Sequence, residues 1–111
     1  MAKEGERRTH LRFNVRWPIT VLSEHGRTEG ETRNISVSGM LIQCNEQLNQ
    51  NEFLRLSLES PKKLPIWVSG TVVWSDSGRT SDAKTDYSMG FSFVEIADAD
   101  RALLNDLVTG L

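Results

Sequence analysis

From Asn14 onward the chain alternates. Val15, Trp17, Ile19 and Val21 fall on one parity and Arg16, Pro18 and Thr20 on the other, the pattern of a strand with one face in a core and one in water. Pro18 has no N–H to give a ladder, so this strand is expected at a sheet edge, at a bulge, or with that bond facing outward. Ser23-Glu24-His25-Gly26-Arg27 reads as a turn and Thr28 to Arg33 as a short polar strand. Asn34 to Gly39 interrupts the pattern before Met40, Ile42 and Cys44 resume it. Further strands are predicted at Leu54, Leu56 and Leu58, at Ile66 to Trp74, and at Met89, Phe91 and Phe93. Between the last two, Ser75 to Asp86 has no apolar anchor except Ala83 and reads as a mobile hairpin loop. Gly70, inside a β-branched run, marks a bend or a close approach of backbone.

Only the end of the chain has helical spacing. Leu103, Leu104, Leu107, Val108 and Leu111 recur every three or four residues, with Asp98 or Asp100 as a cap and Gly110 near the stop. The expected fold class is all-β, six strands closing on themselves, with one C-terminal α-helix docked by its apolar stripe. Neither an internal repeat nor a low-complexity tract interrupts this single domain.

Composition narrows the classes of function. At 111 residues with 38% hydrophobic and 25% charged positions the chain can bury a core without metal or disulfide, and its one cysteine, Cys44, has no internal partner. No apolar stretch approaches the roughly 18 residues that span a bilayer, so membrane insertion is not expected and a reduced, cytoplasmic setting is. Charge is uneven: residues 1–16 hold Lys3, Arg7, Arg8, Arg12 and Arg16 against Glu4 and Glu6, whereas the remainder is net acidic within a total of -2. An acidic body with a basic end argues against a polymeric nucleic acid, which a basic folded face would track, and for a small anion.

Two constellations carry chemistry. Arg7-Arg8-Thr9-His10-Leu11-Arg12 places guanidinium forks just before the first strand, where each can pair with a phosphate or with the O6 and N7 acceptors of guanine. The alternative is a solvated basic tail. Asn34-x-Ser36-x-x-Gly39 lies at a strand corner; Asn offers a donor and an acceptor, Ser a hydroxyl, and Gly removes the Cβ that would hold a planar ligand off the backbone. An Asx-type turn with a bulge glycine explains the same residues. His10 and His25 are the only imidazoles and no nucleophile or paired-carboxylate setting accompanies them, so neither catalysis nor a metal site is expected.

Arg-x-x-x-Arg before the first strand, followed by Asn-x-Ser-x-x-Gly after the second, resembles the PilZ domain family. The resemblance extends through Gly70-Thr71-Val72-Val73-Trp74, the Met89 to Phe93 strand and the terminal helix. It implies a six-stranded antiparallel β-barrel, residues 14–111, behind a flexible arginine-rich arm, residues 1–13. It also implies a receptor for the bacterial second messenger cyclic di-GMP. By position, Arg8 and Arg12 fill the paired-arginine places, Arg7 is the adjacent extra arginine, and Asn34, Ser36 and Gly39 match the second motif, Asn standing where many members carry Asp. Arg7 in that place favours a stacked pair of cyclic di-GMP molecules. Trp74 either stacks on a guanine or packs at the barrel rim; Trp17 and Trp67 are expected to be packing residues. Arg33 and Arg79 are further cations that either add charge or are simply solvated. The downstream protein is not legible. The competing readings are a PilZ-like protein-interaction module without nucleotide binding and, in another class, a barrel that binds single-stranded nucleic acid.

Overall fold

The computed structural model describes residues 12–61, 64–79 and 85–109. Six strands form a closed antiparallel barrel: β1 (Pro18–Ser23), β2 (Gly26–Ile35), β3 (Gly39–Cys44), β4 (Phe53–Glu59), β5 (Pro65–Arg79) and β6 (Thr85–Glu95), in the order β1-β2-β3-β6-β5-β4, with β4 returning to β1. One helix, α1 (Asp98–Thr109), follows.

The barrel forms because alternate residues are apolar and can meet inside it. Ile19 and Val21 of β1, Leu54, Leu56 and Leu58 of β4, and Ile66, Val68 and Val72 of β5 are all buried, joined by Ile42 of β3 and by Met89 and Phe91 of β6. Burying such a side chain contributes roughly 1.5–3 kcal/mol against leaving it in water. Helix α1 begins with Asp98 and Asp100 in its first turn, where carboxylates suit the positive end of the helix dipole, and seats Leu104 and Val108 in the core while packing against β5.

Several local expectations change. The first strand starts at Pro18, not Asn14, because the Thr32 hydroxyl enters the ladder: it accepts from Trp17 N at 2.9 Å and donates to Val15 O at 2.6 Å. Upstream of it the chain still runs beside β2, with Phe13 and Ile35 exchanging backbone hydrogen bonds of 2.8 and 2.9 Å. A closed barrel has no edge for Pro18; it opens β1 opposite Glu31, one residue before the β1–β4 ladder begins at Ile19 and Leu58, so that ladder needs no N–H from it.

The expected loop from Ser75 to Asp86 is largely strand. β5 continues to Arg79 and β6 starts at Thr85, with pairs running from Ser75–Met89 out to Arg79–Thr85. Backbone pairing sustains this polar ribbon, with side-chain bonds at its base from Gln43 to Asp86 and from Gln47 to Ser75, and Ala83 and the tip lie outside the described residues. β2 is likewise longer than the polar segment predicted, and the interruption shrinks to Ser36–Ser38. At Gly70 the expected close approach is present: the register shifts there, and a Cβ would fall 2.9 Å from the Ser92 carbonyl carbon. Trp17 is buried, as expected; Trp67 instead lies on the outer surface with the Arg55 guanidinium 4.5 Å from its ring centre.

Candidate functional site

The site is built on one rung of the barrel. Asn34 of β2 pairs with Leu41 of β3, Leu41 with Gly90 of β6, and Gly90 with Trp74 of β5. With strands about 4.8 Å apart, this row spans about 14 Å of outer surface. Both of its ends are β-bulges. On β2 the pairing passes from Thr32–Ile42 to Asn34–Leu41, leaving Arg33 as an extra residue; on β5 it passes from Val72–Phe91 to Trp74–Gly90, leaving Val73. A bulge of this kind sets two residues against one and lets two successive side chains avoid the core. Arg33 and Asn34 therefore sit between the buried Thr32 and Ile35, and Val73 and Trp74, 53% and 45% exposed, follow the buried Val72.

Between the bulges lies a groove of about 370 Å³, with Arg12, Asn34, Ser38, Leu41, Val73 and Trp74 among its walls and no carboxylate among its described lining. Gly90 is the seat of the Trp74 indole: a Cβ there would come within 2.7 Å of ring atoms Cδ1 and Cε2. One face of the indole thus rests on backbone outside the barrel. Arg12 reaches across from the chain before β1 and donates from Nη1 to Asn34 Oδ1 at 3.0 Å. An exposed guanidinium held at its margin by a neutral amide keeps its full charge for an anion.

The structure gathers Arg12, Asn34, Gly39 and Trp74 at this groove. Arg7 and Arg8 lie outside the described residues. Ser36 does not line the groove. It is buried and spends its hydroxyl within the corner, donating to Gly39 O at 3.2 Å and accepting from Ser38 N at 3.3 Å, while its own N–H donates to Gly39 O at 2.8 Å. Its task here is to shape the turn that delivers Asn34 and Gly39. Gly39 answers to the neighbouring strand: a Cβ would lie 2.6 Å from Phe91 O. The wall residue that sequence reasoning missed is Ser38, because nothing in the motif distinguishes the serine that builds the corner from the one that faces out of it. Val73 was hidden by the bulge, which breaks the parity that alternation relies on.

Two features remain from the residue inventory. Among the described residues no group of three or more His, Cys, Asp or Glu is placed to hold a metal ion, and no helix is long and apolar enough to cross a membrane. Cys44 is buried and unpaired, its thiol pushed up from 9.0 to about 11 by desolvation first and by the nearby Glu46 carboxylate second.

The comparisons with known proteins agree with this fold. The sequence model described as the PilZ domain matches residues 6–110, and the chain belongs to the PilZ domain family. Among curated proteins none matches. Among solved structures it is similar to the PilZ domain of YcgR from Escherichia coli with c-di-GMP, at 11% identity and a TM-score of 0.77 over 95% of this chain and 91% of that one. It is also similar to the Bacillus subtilis inhibitor of motility, at 21% identity and a TM-score of 0.69 over 88% of this chain, and to apo MrkH of K. pneumonia, at 15% identity and a TM-score of 0.77 over 94%. The match covers 47% of the motility inhibitor and 50% of MrkH, so this chain corresponds to about half of each. These likenesses establish the fold, a six-stranded antiparallel barrel with a terminal helix.

Proposed function

We propose that the protein is a bacterial cyclic di-GMP receptor and adaptor, working in the cytoplasm by binding and not by catalysis. The observation that carries this reading is the rung from Asn34 to Trp74, which sets an amide and a guanidinium at one end of a groove with no carboxylate among its described lining and an indole at the other. That arrangement suits a planar dianion: Trp74 stacks on a guanine, Arg12 pairs with a phosphate or a Hoogsteen edge, and Asn34 serves the remaining edge. Family membership and the c-di-GMP in the YcgR structure support the choice of ligand.

Arg7 and Arg8 complete the site from the arm before the barrel, residues 1–13. Arg12 and Phe13, at its end, are already tied to Asn34 and Ile35; the rest, rich in charge and poor in apolar residues, gains order when the ligand neutralises its guanidiniums, and Arg7 supplies the charge that a stacked pair of dinucleotides would need. Ordering the arm alters a surface patch beside the groove, and a protein partner that binds the patch in one state only reads the signal through its differential affinity.

The reading is tested by substitution. Arg8→Ala and Arg12→Ala each remove charge-assisted hydrogen bonds worth roughly 1.5–3 kcal/mol, so each weakens cyclic di-GMP by about tenfold to a hundredfold or more. Unchanged affinity in both variants by calorimetry contradicts the assignment. Binding to single-stranded nucleic acid is separated by salt, since a polymer binder loses affinity steeply with ionic strength and a one-site receptor does so less.

A further inference from the structure

We infer that the groove continues past Asn34 into a second anion subsite, built by Arg16, Arg33 and Asn14, that takes a phosphate ester. A recess of about 650 Å³ lies there, lined by Asn14, Arg16, Arg33, Asn34, Leu41 and Ser88. It shares Asn34 and Leu41 with the first groove, so the two are contiguous across the β2–β3 pair. Every polar side chain in that lining carries a hydrogen-bond donor, two of them are permanent cations, and none is a carboxylate.

The local structure holds these groups at the rim of the recess, Arg33 by a neutral acceptor and Arg16 by a long, exposed ionic contact. The β2 bulge puts Arg33 on the outer surface beside Asn34. There it donates from Nη1 to Gln43 Oε1, and the Gln43 side chain is held in that orientation because its Nε2 donates to Asp86 Oδ2 at 2.9 Å. A neutral acceptor thus positions Arg33, with the carboxylate one residue further away. Arg16 is fixed from behind by Trp17, whose N–H and carbonyl are both engaged by Thr32. Its contact with Glu31 is 3.9 Å between side chains 66% and 41% exposed, a solvent-screened approach of the kind worth little. Glu31 and Asp86 face a neighbouring recess that also contains Arg16 and Arg33, and neither is among the described lining of the subsite. Two guanidinium forks with amide and hydroxyl donors around them match a phosphate, which accepts from several directions at once.

The inference extends the reading above but does not need it. The phosphate belongs either to the dinucleotide seated in the first groove or to a separate molecule. The test uses the full chain and sodium pyrophosphate, added at constant ionic strength while backbone amide, arginine Nε and indole signals are followed by NMR. Saturable shifts at Arg33 and Ser88, with the Trp74 indole unmoved, are expected. Arg16→Gln with Arg33→Gln should weaken that response at least tenfold; Arg16→Gln alone, at a well-exposed side chain, should weaken it about threefold or more, and its unfolding midpoint should match the wild type. Repeating the titration with cyclic di-GMP present assigns the source: loss of the pyrophosphate response places the dinucleotide's own phosphate in the subsite, and persistence assigns a separate molecule. Shifts that never saturate, or that survive both substitutions unchanged, overturn the subsite. A chain that responds to pyrophosphate and not to cyclic di-GMP keeps the subsite and loses the receptor assignment, so the two failures are told apart.

Discussion

At Gly90 a missing Cβ decides where an indole rests, and Trp74 stands on the outer face of the barrel because of it. Gly90→Ala displaces a side chain and leaves the backbone alone. It is expected to shift the Trp74 indole resonance and to weaken cyclic di-GMP by roughly tenfold, within the 1–3 kcal/mol that a base–aromatic stack is worth, with the unfolding midpoint nearly unchanged. Cys44 makes a prediction about pH. Its folded thiol lies near 11 against an ordinary 9.0, so the native state holds its proton more tightly than the unfolded state does. The associated stability is present below pH 9 and is lost as pH rises towards 11, on the order of 2–3 kcal/mol. Urea unfolding across that range should show the decline, and Cys44→Ala should flatten it. At this scale the sequence exposes part of the site. Arg12, Asn34 and Gly39 are legible from their spacing, whereas it is not legible that Ser36 turns into the corner and Ser38 lines the groove, because a hydroxyl that closes a corner and one that faces out of it look alike in one dimension.

At the scale of elements, two bulges on one rung make the groove. A regular barrel would turn only every second residue outward, and Arg33 with Asn34, or Val73 with Trp74, could not both leave the core. The six strands were legible because their core residues alternate; the bulges were not, because each adds one residue to a strand without changing its composition. The ribbon beyond Ser75 was hidden for a related reason: it encloses no core, so its polar residues give no alternation to read, and backbone pairing is what defines its strands. Gly70 was legible as a break in a β-branched run. Gly70→Ala drives a Cβ into the Ser92 backbone and is expected to cost about 1–3 kcal/mol in denaturant unfolding, while Gly78→Ala, with nothing within 4 Å, should stay within about 0.5 kcal/mol.

For the whole molecule, charge is spread unevenly over the barrel, although Arg16 and Arg33 also share a recess with Glu31 and Asp86. Arg12, Arg16 and Arg33 border the two contiguous grooves, whereas Glu95, Asp98 and Asp100 gather with Arg55 and Trp67 at the junction of β5, β6 and α1. A chain of net charge -2 can therefore attract a small anion at one place without becoming a general polyanion binder. This chain corresponds to about half of the motility inhibitor and of MrkH. The most direct measurement is isothermal titration of cyclic di-GMP into the purified protein, with GTP and cyclic AMP as controls. The account predicts a saturable isotherm with silent controls, a ligand-to-protein ratio near two if Arg7 serves a stacked pair, and loss of the signal in Arg12→Ala. No heat from cyclic di-GMP, together with no binding by an independent method, would contradict it and move the function of this barrel to protein interaction without a nucleotide.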